Sequence, residues 1–210
     1  MSTLAPPRRR AQADRRARTR SALLEAAARG LSRHGYANLV LEQVASEAGY
    51  SRGALYHLFA SKEDLALAVV KWVEATWYAE MGDLVVDYDD PAGALVNVAR
   101  RHAVYCRRDI ARVMMTLRVE FGGRDHPVGR AVHEAVQTVL SSCTALIAAG
   151  RANGAIPPGP PPDVVALALV GAVEGLVINL SGNAPFDEQL AERVVRGVLG
   201  LPPTLEDEDG

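Results

Sequence analysis

The protein has 210 residues, of which 49% are apolar, and a formal net charge of −2. This length and composition favour a folded protein with a sizeable interior. The longest apolar stretch, residues 164–173, is about half the length of a membrane span, so we expect no membrane partner. The N-terminal arginines lead into no apolar export segment, and Cys106 and Cys143 are too few for a disulfide framework. A reducing, cytoplasmic location is therefore expected.

The net charge is divided unevenly along the chain. Residues 1–60 contain 10 arginines and four acidic residues, a net charge of +6, which leaves −8 for the other 150 residues. A polyanion would be attracted to the first segment and repelled by the rest. This asymmetry favours contacts with nucleic acid at the N-terminal end, the alternative being a basic tail that is merely solvated.

Apolar residues recur at helical intervals along nearly the whole chain, and no alternating run predicts a strand. The predicted fold class is therefore all-α. A first helix is expected over about 14–32, ending near Gly35, followed by short helices at 41–48 and 52–59. Ser61 and Asp64 have the spacing of a capping box and begin a helix that ends near Gly82.

Five further helices are predicted in the rest of the chain. Asp90 followed by Pro91 is a strong helix start, and this helix is expected to reach about residue 108. Gly122 and Gly123 then separate a shorter helix from a long one, and a loop with five prolines follows at 153–162. The expected helices of this region are 91–108, 109–121, 127–152, 163–180 and 187–199.

The spacing over residues 41–59 predicts a helix-turn-helix. Leu41, Val44 and Ala48 face inward, Gly49 breaks the first helix, and Leu55 and Phe59 resume the apolar pattern. Ser51 is a plausible N-cap for the second helix. The polar and aromatic residues Arg52, Gly53, Tyr56 and His57 lie away from the apolar stripe, where a helix in the DNA major groove needs its donors.

The run AGYSRGALYHLFASKEDL, residues 48–65, closely resembles the DNA-binding signature of the TetR/AcrR family of repressors. The resemblance implies that Arg52, Ala54, Tyr56 and His57 enter the groove and that Lys62 contacts a phosphate. Leu39 and Val40 depart from the family pattern, which usually has Thr there, and Asn38 is a candidate substitute cap. The predicted DNA-binding residues are Arg18, Arg20, Ser51, Arg52, Gly53, Ala54, Tyr56, His57 and Lys62.

The resemblance also implies an architecture: a three-helix DNA-binding domain followed by a helical domain for ligand binding and dimerisation. We expect a disordered basic tail at 1–13, the DNA-binding domain at 14–60, the second domain at 61–200 and an acidic tail at 201–210. Adaptable apolar side chains predict a pocket formed by Trp72, Trp77, His102, Tyr105, Met114, Met115, Phe121 and Glu174. The predicted dimer interface comprises Val136, Leu140, Val164, Leu167, Gly171 and Gly175.

The function expected from these features is a homodimer that represses transcription from a pseudo-palindromic DNA operator until a small apolar or aromatic effector binds. The alternative is a constitutive DNA-binding dimer without a pocket. No catalytic motif is present, so we do not expect an enzyme or a cofactor. The pairs His102 with Cys106 and His126 with His133 supply too few ligands to predict a metal site.

Overall fold

The structure is a computed structural model that describes residues 7–82 and 88–203, with side chains from residue 11 onward. Residues 1–6 of the predicted basic tail and most of the predicted acidic tail lie outside this part of the chain. The described residues form α-helices and no strand, as the periodicity predicts. Their helices are α1 Pro7–His34, α2 Leu41–Glu47, α3 Arg52–Leu58, α4 Lys62–Met81, α5 Pro91–Tyr105, α6 Val113–Glu120, α7 Pro127–Ala152, α8 Pro162–Leu180 and α9 Phe186–Leu199.

Two helices differ in their bounds from the prediction. Helix α1 begins at Pro7, so residues 7–13 are helical where a disordered tail was expected. Pro suits the first turn of a helix, and the Arg, Ala and Gln residues that follow are good helix formers. Helix α5 ends at Tyr105, and the short 3-10 helix Asp109–Arg112 separates it from α6.

The chain forms two compact units. The first comprises Met1–Val73 and Arg112–Val132, and the second comprises Glu74–Ala111 and His133–Gly210. This division differs from the expected boundary at residue 60. The first part of α4 and the whole of α6 belong to the unit that contains the helix-turn-helix, so this unit is larger than the signature alone suggests.

The core of the first unit follows from the apolar stripe of each of its helices. Helix α1 contacts α2 and α6, and α2 contacts α3. Helix α1 buries Leu23, Leu24 and Leu31 completely or almost so, and α3 buries Leu55. Because α2 and α3 have only seven residues each, packing of this kind stabilises them more than their own helix propensity does.

The second unit packs α5 and α8 against α9 around a continuous apolar core. Leu140 is buried in this core, and Val136 is partly buried against it. Both side chains of α7 therefore stabilise the interior of the unit. Leu140, at 8% exposure, is thus in the protein's own core and not at the surface that a predicted dimer interface requires, whereas Val136 is still partly exposed.

Helix α8 has apolar residues on the side that faces away from this core as well. Val164, Leu167 and Ile178 are about half exposed, at 50%, 57% and 52%. A Cβ atom added at Gly171 or Gly175 would meet open space. By length and composition alone α8 could also cross a membrane, with 28% of its apolar window buried within the protein. Helix α8 thus presents an apolar stripe to solvent in the single copy.

A buried carboxylate joins the segment just after α5 to the start of α9 within the second unit. Asp187, fully buried at the start of α9, accepts two hydrogen bonds from Arg107, one from Nε at 2.9 Å and one from Nη2 at 2.7 Å. The Asp187 carboxylate also accepts from the backbone N–H groups of Gly182 and Glu188. These donors, Arg107 above all, hold the pKa of Asp187 below its ordinary value.

We predict that Asp187→Asn lowers the free energy of unfolding by about 3–5 kcal/mol, because the variant leaves Arg107 without its buried partner. Urea denaturation followed by circular dichroism measures this loss. Glu188→Gln is the matched control, since Glu188 also contacts Arg107 but is partly exposed, and it should cost at most about 1 kcal/mol.

The same pair has a pH signature. Because the folded pKa of Asp187 is lowered, its stabilisation is present above the ordinary pKa of 3.8 and is lost as the pH falls through the lower folded value. The stability difference between wild type and Asp187→Asn should therefore shrink below about pH 4. A difference that stays constant down to pH 2 would contradict this assignment.

Candidate nucleic-acid interface

The turn between α2 and α3 follows directly from its sequence. Gly49 adopts a φ of +76° and ends α2, a conformation that L side chains rarely adopt. Ser51 is the N-cap of α3, and its Oγ accepts a hydrogen bond from the Ala54 N–H at 3.2 Å. Leu55 and Phe59 are buried at 0% and 2% exposure and fix α3 to the first unit.

The opposite side of α3 is exposed. Arg52, Gly53, Tyr56 and His57 lie at the surface, and Ala54 is partly exposed. Tyr56, at 42% exposure, is one of the few large apolar side chains of the first unit that solvent reaches. The structure thus brings together the five predicted DNA-binding residues of α3 on one face.

Glu42 of α2 contacts this face, although the sequence pattern did not predict it as a site residue. Its Oε1 lies 2.8 Å from Nη1 of Arg52, and the Arg52 guanidinium lies 5.3 Å from the centroid of the Tyr56 ring. The carboxylate and the ring together restrict the orientation of Arg52. Periodicity places Glu42 on the outer side of α2, but the sequence alone does not show that this side meets Arg52.

The two arginines predicted on α1 have different surroundings. Arg20 is exposed, and its guanidinium lies 5.5 Å from the centroid of the Phe59 ring at the end of α3. This contact places the Arg20 position beside the helix-turn-helix. Arg18 is also exposed, and its Nε donates to the Asp14 carbonyl one turn earlier in α1.

Lys62 has protein partners where a phosphate contact was predicted. Its ammonium donates to the Ala37 carbonyl oxygen at 2.9 Å and lies 4.9 Å from the centroid of the Tyr36 ring. Because an ammonium group has three donors, these contacts leave Lys62 some capacity for a further partner. Its first role in the structure, however, is to join the start of α4 to the turn after α1.

The start of α2 has no side-chain cap. Val40 occupies the N-cap position, where an apolar side chain accepts no hydrogen bond. Asn38, the candidate substitute, instead donates through Nδ2 to the His34 carbonyl at the end of α1. The expectation that Asn38 caps α2 is therefore wrong.

Three of the predicted pocket residues lie together in the second unit. Trp77 Nε1 donates to Nδ1 of His102 at 3.0 Å, and the His102 ring stacks on Tyr105 with centroids 6.5 Å apart. Burial lowers the pKa of His102 to about 4, so its imidazole is neutral at physiological pH. Cys106 Sγ lies 3.4 Å from His102 Nε2. We call Trp77, His102, Tyr105 and Cys106 the aromatic cluster.

The remaining pocket candidates are not all in the same unit as the aromatic cluster. Trp72, Met114, Met115 and Phe121 belong to the first unit, and Glu174 is partly buried on α8 in the second. Phe121 is 8% exposed and packs between two rings of its own unit, stacked on His126 at 4.4 Å and edge-on to Tyr36 at 5.2 Å. Phe121 thus has a packing role beside the helix-turn-helix.

Two further features bear on what the chain binds. An open groove of the second unit, with a volume of 510 Å³, contains none of the predicted pocket residues; it is lined by Ala79, Glu80, Asn97, Arg100, Arg101, Val104 and Glu188. Among the residues that the structure describes, no group of three or more His, Cys, Asp or Glu side chains is arranged to hold a metal ion.

The arrangement in the first unit, a short capped helix held by two apolar residues with a polar outer face, is that of a helix-turn-helix. Residues 23–69 match the family model described as bacterial regulatory proteins of the TetR family. The HTH-type transcriptional regulator CymR of Pseudomonas putida is 42% identical over 67 residues. That match covers 32% of this chain and 33% of CymR, so it spans about a third of the curated relative.

Solved structures extend the likeness to the whole fold. SCO4454, a TetR-family transcriptional regulator from Streptomyces coelicolor, superposes with a TM-score of 0.72 at 23% identity, covering 88% of this chain and 95% of that one. AibR, solved in complex with isovaleryl coenzyme A and operator DNA, superposes with a TM-score of 0.71 at 19% identity, covering 88% and 100%. Residues 23–69 are thus similar to the TetR-family model, and the fold of the chain is that of these TetR-family structures.

Proposed function

We propose that the protein is a dimeric transcriptional repressor that binds a pseudo-palindromic DNA operator through α3 and releases it when a small apolar or aromatic effector binds. The observation that carries the proposal is the outer face of α3, where Arg52, Tyr56 and His57 are exposed beside a buried anchor. Donors on a short exposed helix are what the major groove requires. Occupancy of the operator would exclude the transcription machinery from the same DNA.

Electrostatics support the same assignment. The surplus of arginine in the first 60 residues provides long-range attraction to phosphates, whereas the negative charge of the remaining residues does not. Arg18 and Arg20 supply flanking contacts in this proposal, since both are exposed and Arg20 lies beside Phe59. Glu42 limits the orientations of Arg52 and so contributes to the choice of base.

The exposed stripe of α8 supports dimerisation. Val164, Leu167 and Ile178 recur along one side of the helix with Gly171 and Gly175 between them. Small residues permit close approach of a second helix, and the same stripe on a two-fold related copy would bury these side chains. A dimer also explains how one seven-residue helix gains specificity, because two copies read half-sites about 34–36 Å apart.

The aromatic cluster supports an effector with apolar character. Trp77, Tyr105 and the neutral His102 would present aromatic rings to an effector that entered between them, although Tyr105 is 2% exposed in this structure; the indole N–H and one imidazole nitrogen already satisfy each other. Charged ligand groups would find no compensating charge on these three side chains. The solved complex of AibR with isovaleryl coenzyme A and operator DNA is consistent with ligand binding in a protein of this fold.

Tyr56→Ala tests the DNA-binding face. We expect operator affinity to fall at least tenfold, because the exposed ring also orients Arg52. Fluorescence anisotropy measures this, using an operator selected from genomic fragments by the wild-type protein. Tyr88→Ala is the control, since Tyr88 is 50% exposed in the second unit. Equal affinities for wild type and Tyr56→Ala would contradict the assignment of α3.

Gly53→Ala separates folding from DNA binding. The added Cβ would meet only Ser51 Oγ at 3.8 Å, so Ala fits the free protein and should stabilise α3 by about 0.5–1 kcal/mol. The methyl group would lie on the exposed face and keep the backbone away from DNA. We therefore expect a higher melting temperature together with weaker operator binding, and tighter binding would show that Gly53 does not approach DNA.

Leu167→Glu tests the dimer surface. A charge in the middle of the exposed α8 stripe should convert a dimer into a monomer without unfolding the chain, because Leu167 is 57% exposed in the single copy. Sedimentation velocity measures the mass. Val119→Glu, at a position 79% exposed on α6, is the matched control and should remain dimeric. A Leu167→Glu variant that stays dimeric would exclude this stripe.

A further inference from the structure

The turn that joins α1 to α2 is held by side chains from two other helices of the first unit. Gly35 ends α1 with a φ of +73°, and the next two backbone N–H groups, of Tyr36 and Ala37, point away from the helix. Both N–H groups are bound by Glu120, the last residue of α6. The distances are 2.5 Å from Tyr36 N to Oε2 and 2.7 Å from Ala37 N to Oε1.

This carboxylate fits a site that only glycine leaves open. A Cβ at position 35 would lie 2.6 Å from Glu120 Oε2, so any other residue there would displace the carboxylate as well as strain the backbone. Successive backbone N–H groups after a residue with positive φ form a concave anion site. Glu120 provides the anion from within the chain, and a hydrogen bond to a charged acceptor is stronger than one between neutral groups.

The next peptide group, between Ala37 and Asn38, is held by Lys62, whose ammonium donates to the Ala37 carbonyl. The N–H of Ala37 thus bonds to the end of α6 and its C=O bonds to the start of α4. Rings complete the contact: Tyr36 lies under the Lys62 ammonium and packs edge-on against Phe121. We call Glu120, Tyr36, Ala37 and Lys62 the α6 joint.

His126 makes a second set of contacts between the end of α6, the α1–α2 turn and the start of α4. His126, which follows α6, stacks on Phe121 and packs edge-on against Tyr36 with centroids 5.3 Å apart. Its Nε2 lies 3.6 Å from Glu63 Oε2 at the start of α4. Two residues at the start of α4 are therefore connected to the end of α6. Glu63 contacts His126 directly, and Lys62 is connected to Glu120 through Ala37 of the α1–α2 turn.

We infer that Glu120 is a positioning residue for operator recognition: through the amides of Tyr36 and Ala37 it fixes the α1–α2 turn, and with it α2 and α3, in the orientation that reads DNA. Lys62 acts in the same joint. In this arrangement Lys62 affects DNA binding without a phosphate contact. Helix α6 contacts the helix-turn-helix directly, through the hydrogen bonds of Glu120 to the turn before α2. The inference rests on the proposed DNA-binding function.

Glu120→Gln tests the inference, because an amide keeps the shape of the side chain but replaces one of the two accepting oxygens with an NH2 donor that faces an N–H group. We expect operator affinity to fall about tenfold. Affinity for non-operator DNA at low salt should stay within about twofold, since phosphate contacts are unchanged. A purely structural loss would lower the folded fraction and reduce both affinities by the same factor. Glu134→Gln, an exposed position on α7, is the control.

Lys62→Ala separates the joint from a phosphate contact. If Lys62 bound a phosphate, its removal would reduce the slope of log affinity against log salt by about 0.9. We expect an unchanged slope, and a double variant with Glu120→Gln that loses less affinity than the product of the single losses. A reduced slope with multiplicative losses would overturn the role of Lys62 in the joint.

Hydrogen exchange tests the contact without DNA. In Glu120→Gln the amides of Tyr36 and Ala37 should exchange at least about tenfold faster, with faster exchange spreading into α2, while α9 is unchanged. Unchanged protection over residues 36–47 would overturn the inference. If the wild-type protein selects no DNA fragment, the proposed function fails, whereas the exchange result still decides whether Glu120 holds the turn.

Discussion

Burial of Leu55 and Phe59 is the interaction on which the exposed face of α3 depends. A helix of seven residues has little stability of its own, so burial of Leu55 within it and of Phe59 at its C-cap holds it in the first unit, where it packs on α2. With these residues inside, the helical period places Arg52, Tyr56 and His57 outside. The same period that makes the core therefore also makes the candidate DNA-binding face, and a change in either anchor would move every exposed side chain together.

The sequence predicted features that depend on neighbours within a few residues. Ser51 and Ala54 are three residues apart, as are Ser61 and Asp64, and both pairs form their expected cap hydrogen bonds. All the expected helices within the described ranges are present for the same reason, since a 3.6-residue period is a local property. Errors at helix ends, such as the early start of α1, reflect good helix formers upstream of the first apolar residue.

Contacts between residues far apart in the chain could not be predicted in this way. Glu120 lies 84 residues from Tyr36, and Lys62 lies 25 residues from Ala37, so no spacing rule connects them. Leu140 shows the converse limit. Its periodic apolar stripe on α7 predicted a dimer contact, but periodicity does not distinguish burial within one chain, which the structure shows for Leu140, from burial against a second copy. The structure separates the two cases by exposure: apolar residues on α8 are about half exposed in the single copy, whereas Leu140 is buried.

Lys62 shows how one residue type in a signature can have two physical explanations. A lysine near a DNA-binding helix suggests a phosphate contact, yet its hydrogen bond to Ala37 and its position over Tyr36 give it a structural task. The two explanations differ in their dependence on salt: a phosphate contact releases counterions, whereas a contact inside the protein does not. Because Glu120 and Lys62 bind the two peptide groups on either side of the Ala37 Cα, a rearrangement of α6 would change the hydrogen bonds of this turn as well as the contact of α6 with α1.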